Sequence, residues 1–286
     1  MRVLVLLLCP LLVLQTEATD WSKIKNMDLK IYDGDTARNE QSAEGRIVGG
    51  QEAERHQFPY QVGIIVDDTY LCGGSMITNS VVLTAAHCTY KYSEFVVHLA
   101  AQNIMDEGEA DRQIVTANHT VTHEAWNADL LHNDIALVFL PSPVSGVGIE
   151  LSRLPAFSQE NFTYSGEIAR VSGWGKISDE QIFPNPELKY ADVMIAANET
   201  DCNIYGTRFV ASTMVCVDPE LSTGNICNGD SGGPLVYYET DGLPTLIGVV
   251  SYGNSDGCES PKPVVFTQVS AYLDWLQINA GVTIQP

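Results

Sequence analysis

Residues 229–234 read Gly-Asp-Ser-Gly-Gly-Pro, the stretch that says most about how this chain of 286 residues folds. Two other short motifs precede it, Thr-Ala-Ala-His-Cys at 84–88 and Asn-Asp-Ile-Ala-Leu at 133–137. A serine hydroxyl attacks a carbonyl only when a neighbouring base removes its proton. Histidine can accept that proton near pH 7, and a buried carboxylate can hold the imidazole in the required tautomer. The motifs therefore predict a nucleophile, a base and an orienting carboxylate at Ser231, His87 and Asp134.

The order of these three residues, with the sequence around each, resembles the chymotrypsin-like serine proteases over about residues 47–280. The resemblance implies an all-β fold of two antiparallel six-stranded β-barrels that meet at a cleft, followed by a C-terminal helix. The residues themselves favour many short strands, because β-branched runs alternate with turn residues. These runs lie at 62–66, 81–84, 95–99, 135–140, 247–251 and 264–269.

The chain begins with features of a secretory signal peptide. Met1-Arg2 is followed by the apolar run Val3–Leu14, and the small residue Ala18 suits a cleavage site. A membrane anchor is the alternative, but the run is too short to cross a bilayer. The following residues lack apolar periodicity and predict a loosely structured segment. We expect a signal peptide, an activation propeptide and a protease domain at 1–18, 19–46 and 47–286, with barrels at about 47–155 and 156–268 and a helix at about 268–280.

Cysteine usage fits an oxidising compartment. Of seven cysteines, Cys9 would leave with the signal peptide, and the six that remain predict disulfides. Zinc binding is a poor alternative because no Cys-x-x-Cys pair occurs. Six cysteines allow fifteen pairings from sequence alone. The resemblance implies one of them, Cys72–Cys88, Cys202–Cys216 and Cys227–Cys258.

The chain is strongly acidic, with a formal net charge of −21. Residues 47–286 hold nine Lys or Arg against 29 Asp or Glu. Nucleic-acid binding needs basic stripes, so no nucleic-acid partner is expected. Two interpretations of the acidity stay open: it maintains solubility, or the scarcity of Lys and Arg protects a protease that works among trypsins.

The resemblance also implies a zymogen, cut by a trypsin-like protease between Arg46 and Ile47. The new ammonium group of Ile47 would turn inward and pair with Asp230, beside the nucleophile. Such a pair offsets its desolvation only when its geometry is good, so it can act as a switch. The backbone N–H groups of Gly229 and Ser231 would form the oxyanion hole.

Specificity follows from the residue six positions before the nucleophile, which forms the pocket floor in this family. Here it is Asn225, whereas trypsins have an aspartate that holds Lys or Arg. The pocket walls would come from Ile226, Gly253 and Val264, and Val264 should shorten the cavity. We expect cleavage after uncharged apolar residues of small to medium size. The segment Ser251, Tyr252 and Gly253 would pair with the substrate backbone.

Two further features concern modification and metals. The sequence holds glycosylation sequons at Asn118, Asn161 and Asn198. Some relatives bind calcium in the loop near residues 100–112 through a glutamate, where this chain has Ala101. Four nearby carboxylates could still hold a cation, namely those of Asp106, Glu107, Glu109 and Asp111. A solvated acidic loop is the simpler interpretation. We expect no required metal and no cofactor.

Within the family, Asp-Trp-Ser-Lys at 20–23 and the non-tryptic pocket look most like arthropod chymotrypsin-like or collagenase-like (brachyurin) enzymes. Val264 departs from the aspartate of the crab collagenases, so the resemblance does not extend collagen cleavage to this chain. We expect a secreted, extracellular digestive endopeptidase, with the gut lumen as one candidate location. It should be monomeric and without a membrane partner, and should meet protein substrates and protein protease inhibitors. The alternatives are a non-catalytic decoy on the same fold and a narrow-specificity protease of a regulatory cascade.

Overall fold

The computed structural model describes residues 19–27 and 50–286. The signal-peptide region and the Arg46–Ile47 junction lie outside the described residues. The described strands are β1 Lys25–Asn26, β2 Gln51–Glu52, β3 Gln61–Val66, β4 Tyr70–Thr78, β5 Val81–Thr84, β6 Phe95–Leu99, β7 Gln113–Ala117, β8 His119–Thr122, β9 Ala136–Phe139, β10 Ile168–Gly173, β11 Lys189–Ile195, β12 Met214–Asp218, β13 Pro234–Tyr238, β14 Pro244–Tyr252 and β15 Val264–Gln268. The α-helices are α1 Ala86–Thr89 and α2 Leu273–Ala280, and 3-10 turns cover Phe157–Gln159, Glu199–Arg208, Pro219–Leu221 and Val269–Tyr272.

The first sheet has the strand order β7-β6-β3-β4-β5-β9-β8, with antiparallel neighbours throughout. Only Asn118 separates β7 from β8, so these two strands are halves of one bent strand. One half pairs with β6 and the other with β9, which brings the two edges of the sheet together. The first sheet is thus six strands curled into a barrel.

The second sheet closes on itself. Its order is β10-β13-β14-β15-β12-β11, and β10 also pairs with β11, which completes a six-stranded ring. Strand β2 pairs with Lys189 and Tyr190 at the start of β11, so residues 51–52 belong to this sheet although they precede the first one. Two curled antiparallel sheets and a short C-terminal helix confirm the predicted fold class.

Apolar side chains fill both barrels and attach the helix. Every residue of β3 is buried, in keeping with its run of Val, Gly and Ile. Helix α2 begins at Leu273, after a 3-10 turn, and packs on the body through Leu273, Trp275 and Leu276. Gly281 ends it in the left-handed conformation, with φ of 68°. No helix in the described part of the chain is long and apolar enough to cross a membrane.

The first residues of the described chain differ from the sequence-based expectation of a loose segment. Residues 19–27, which we call the docked leader, pack on the first barrel, and β1 pairs in parallel with Tyr70 and Leu71 of β4. Ile24 is 1% exposed, while its neighbours Lys23 and Lys25 face solvent. The prediction was wrong here because a short strand needs only one or two buried apolar side chains and a sheet edge. That signal is too brief for a periodicity argument.

Candidate active site

The three side chains singled out by the sequence lie at the seam between the two barrels. His87 is on the single-turn helix α1 after β5, and Asp134 lies just before β9 of the same sheet. Ser231 lies before β13 of the second sheet. The Gly73 N–H of β4 donates to the Ser231 carbonyl oxygen at 2.8 Å, which ties the serine turn to the first barrel.

His87 and Asp134 are joined by two hydrogen bonds. The His87 backbone N–H donates to Asp134 Oδ1 at 2.9 Å, and the ring Nδ1 lies 2.7 Å from Asp134 Oδ2. An ionised carboxylate only accepts, so the neutral imidazole carries its proton on Nδ1 and leaves Nε2 free to accept another. The Cys72–Cys88 disulfide fixes the residue beside His87 to β4.

Ser231 and His87 each have one buried polar atom without a hydrogen-bond partner among the described residues. These atoms are Ser231 Oγ and His87 Nε2. The hydroxyl and the ring are therefore not yet bonded to each other in this structure. Unsatisfied buried polar atoms are uncommon and call for an explanation, and catalytic hydrogen bonds are often long before substrate binds. Ser231 Oγ and His87 Nε2 come from different barrels and both lack a partner in the described chain. This arrangement fits two groups that form a hydrogen bond with each other during the reaction.

Asp134 is held by residues that the motif search did not single out for this purpose. Strand β14 has an irregularity between Val250 and Tyr252, and bulges commonly re-aim a side chain. Ser251 lies there, and its Oγ donates to Asp134 Oδ2 at 2.6 Å. Thr267 Oγ1 donates to the Asp134 carbonyl oxygen at 2.8 Å. Sequence analysis gave Ser251 a role in substrate pairing only.

Asn133 sets the backbone that presents Asp134. Its φ of 56° lies in the left-handed region, which asparagine tolerates better than most residues. The Tyr272 hydroxyl donates to Asn133 Oδ1 at 3.1 Å, and Asn133 Nδ2 donates to the Ala125 carbonyl at 2.8 Å. The C-terminal segment thus helps to position the carboxylate, a long-range contact that no local pattern indicates.

Asp230 is a wholly buried carboxylate without a cation among the described residues. Its oxygens accept from the backbone N–H groups of Gly175 at 2.8 Å and Cys227 at 2.9 Å. Burial raises the pKa of Asp230 to about 6, although these two hydrogen bonds oppose the shift. A Cβ at Gly173 or Gly175 would overlap the carboxylate, so both positions require glycine. These two glycines were not predicted as site residues, although their Ser-Gly-Trp-Gly setting at 172–175 was an available signal.

A small cavity lies beside the serine turn. Its lining includes all four predicted pocket residues and five that were not predicted as pocket residues, among them Lys262. Asn225 Nδ2 donates to the Cys258 carbonyl at 3.0 Å, and its Oδ1 accepts from the Ile226 N–H at 2.9 Å. Lys262 pairs with Asp256 at 2.6 Å. The described residues that line the cavity are Asn225, Ile226, Asn228, Gly253, Asn254, Gly257, Cys258, Lys262 and Val264. None of them is acidic, and Lys262 is the one that carries a full charge.

The loop at 102–112 is organised around an arginine. The Arg112 side chain is 1% exposed, and its guanidinium donates to the carbonyl oxygens of Asn103, Ile104 and Asp106 at 2.7–2.8 Å. Glu109 accepts from the Gln102 and Asn103 N–H groups, both at 2.9 Å. The sequence predicted only a solvated acidic loop. It did not predict the buried Arg112 guanidinium, because a single arginine within an acidic run is no signal of burial.

The described chain contains one cluster of potential metal ligands, Asp179 with Cys227 and Cys258. These two cysteines are bonded to each other, so they offer no thiolates to a metal. The structure also joins Cys72 to Cys88 and Cys202 to Cys216. All three disulfides follow the pairing that the resemblance implied.

Comparisons with known proteins agree with this geometry. The family profile described as Trypsin matches residues 47–276. Brachyurin of Leptuca pugilator is 38% identical over 239 residues, which cover 83% of this chain and 100% of that protein. Chymotrypsin-C of Mus musculus is 38% identical over 240 residues, covering 81% and 88%. The solved structure of HL collagenase at 1.7 Å resolution superposes with a TM-score of 0.71 and 34% identity, over 83% of this chain and 100% of that one.

Proposed function

The chain belongs to the trypsin family and is a serine endopeptidase, and from this premise we propose that Ser231, His87 and Asp134 carry out its acyl transfer. The observation that supports these roles most directly is the His87–Asp134 pair at 2.7 Å facing an unpartnered Ser231 hydroxyl. His87 Nε2 removes the hydroxyl proton as Ser231 attacks the peptide carbonyl, and later gives the proton to the leaving amine. The Gly229 and Ser231 N–H groups stabilise the oxyanion, each worth about 3 kcal/mol.

A serine-directed fluorophosphonate tests this assignment. The protein cut at Arg46–Ile47 should be labelled on Ser231, and Ser231→Ala should remove the label and lower kcat by about a million-fold. A decoy on the same fold would stay unlabelled although correctly folded, so circular dichroism of both proteins is the control. Labelling of the Ser231→Ala variant at an equal rate would refute the assignment.

We propose that the enzyme cleaves after uncharged apolar residues of small to medium size. The floor residue Asn225 is neutral and already hydrogen bonded, and Val264 occupies part of the pocket, so no carboxylate is placed there to hold a cationic side chain. A missing methylene in such a pocket is worth about 1–3 kcal/mol, so selectivity should be broad. A panel of chromogenic peptides with Ala, Leu, Met, Phe and Arg before the scissile bond tests this. Dominant cleavage after Arg would overturn it.

We propose that the protein is a zymogen activated between Arg46 and Ile47. The support is Asp230, a buried carboxylate that lacks a cation in the described chain and would gain one from the freed ammonium group of Ile47. Trypsin should activate the wild-type protein and leave Arg46→Gln inactive, because trypsin cuts after Arg or Lys. Full activity of Arg46→Gln after trypsin treatment, with its chain intact at this bond, would contradict the proposal.

The cellular setting is also a proposal. The apolar amino-terminal run and three disulfides support secretion. The sequon residues Asn118, Asn161 and Asn198 are all exposed, which permits glycosylation. Broad specificity suits digestion outside the cell, where a trypsin-like activator and protein inhibitors are the expected partners.

A further inference from the structure

The docked leader is attached to the first barrel by its backbone and its apolar side chains. The Lys25 N–H donates to the Thr69 carbonyl at 2.7 Å, and the Met27 N–H donates to the Leu71 carbonyl at 3.2 Å. Ile24 and Met27 are both buried in the apolar core of this barrel. Backbone pairing along a sheet edge combined with buried side chains is the usual way in which a domain binds an extended peptide.

The end of the docked leader contacts the proposed oxyanion hole. The Gly229 N–H donates to the Met27 carbonyl oxygen at 3.3 Å. The Asn26 side chain lies so close to Gly229, whose φ is 102°, that a Cβ there would overlap Asn26 Oδ1. Asn26 Nδ2 also donates to the Ile182 carbonyl at 3.4 Å. The donor that should stabilise a substrate oxyanion is therefore engaged by the chain itself.

The other end of the docked leader reaches the loop at 102–112. The Thr19 N–H donates to Glu107 Oε1 at 3.0 Å, and the Trp21 ring centre lies 5.9 Å from that of the buried His98. No residue of the docked leader lines the specificity cavity. The docked leader thus runs from the loop at 102–112 to Gly229. It contacts the proposed oxyanion hole and leaves the specificity cavity open.

We propose that the docked leader is an inhibitory ligand of the active site, and that it retains this affinity after the chain is cut at Arg46–Ile47. This inference rests on the proposed activation. No cysteine lies in residues 19–46, so the cut segment is held by non-covalent contacts alone and must dissociate before Gly229 is available. Activation would then have two steps, cleavage and release, and the second would depend on protein concentration.

The test uses the full chain cut at Arg46–Ile47, freed of its leader by gel filtration, and a synthetic peptide of residues 19–46. Binding is measured by calorimetry on the Ser231→Ala variant, which cannot digest the peptide. Inhibition is measured on the active enzyme with a chromogenic substrate. A peptide with Ile24→Asp is the matched control, and it should bind at least roughly tenfold more weakly because the buried isoleucine is lost.

Saturable binding of the wild-type peptide, weaker binding of the control and parallel inhibition would support the proposal. Absence of binding, equal binding of the two peptides or binding without inhibition would each overturn it. Failure of the proposed function gives a different result, namely no hydrolysis and no fluorophosphonate labelling in the absence of any peptide. The calorimetry on Ser231→Ala remains informative in that case.

Discussion

Val264 is one of the residues that line the specificity cavity. It is buried, and its Cγ1 lies 3.5 Å from where a side chain on Gly253 would begin. We expect Gly253 to leave space at the mouth and Val264 to remove space inside, so that Val264 limits the depth of the cavity.

Val264→Gly should deepen the cavity and shift preference toward larger side chains. We expect the ratio of kcat/KM for Phe over Ala substrates to rise by about tenfold, since each accommodated methylene is worth about 1–3 kcal/mol. Chromogenic peptides that differ only in the residue before the cut provide the measurement. Active-site titration corrects for misfolded protein, and Val264→Ala should give a smaller change. An unchanged ratio in both variants would show that Val264 does not limit the pocket.

At this scale the sequence predicted residues that stand in distinctive local motifs, and it missed those that act through space. Ser231, His87 and Asp134 each carry such a motif. Tyr272 positions Asn133 from 139 residues away, and Lys262 lines the cavity from a position that follows the Cys227–Cys258 disulfide in the chain. Contacts of this kind depend on the closed barrel, which short-range patterns do not describe.

The loop at 102–112 shows how an element can be held by an internal cation. Arg112 and Arg55 both pair with Glu109, at 3.7 and 3.3 Å. Their side chains are 1% and 37% exposed, respectively. Removing a buried partner leaves carbonyls and a carboxylate uncompensated, whereas an exposed pair contributes little. The two arginines therefore form a matched comparison within one loop.

Arg112→Met should lower the free energy of unfolding by about 3 kcal/mol. Arg55→Met should lower it by less than about 1 kcal/mol, because water replaces its contacts. Urea unfolding followed by tryptophan fluorescence measures both, with disulfides intact. Limited proteolysis should also cut the loop faster in Arg112→Met. Equal losses in the two variants would contradict the structural role given to Arg112.

Strand positions were easier to predict than their ends or their partners. The runs at 81–84 and 95–99 match β5 and β6, because continuous runs rich in β-branched and apolar residues leave a strong local signal. The bent strand formed by β7 and β8 left no such local signal in the sequence, since polar residues occupy its exposed side. The short β1 was missed for a different reason, because two residues are too few to show a periodicity, and its Asn26 lies beside Gly229.

The stability of the whole molecule should depend on pH through Asp230, a buried carboxylate without a cation among the described residues. Its pKa is about 6 in the fold and 3.8 in the reference state, because burial disfavours the charged carboxylate. The uncut fold binds this proton more tightly than the unfolded chain does. Stability from this group is therefore complete below pH 3.8 and declines as pH rises to about 6.

The uncut Ser231→Ala protein should lose roughly 3 kcal/mol between pH 3.5 and 6.5 relative to the same protein with Asp230→Asn. Denaturant unfolding of the two proteins across this range measures the difference. After cleavage at Arg46–Ile47 the difference should shrink, because an ammonium group then stabilises the carboxylate. A pH-independent difference in the uncut proteins would contradict the raised pKa.

Each of the three disulfides closes within one half of the molecule, and the triad draws on both halves. Disulfides therefore stiffen the two barrels separately, while no disulfide fixes their mutual alignment. We expect mild denaturant to abolish turnover while both sheets keep their circular dichroism. The enzyme would then lose its function through a shift between the two barrels before either barrel unfolds.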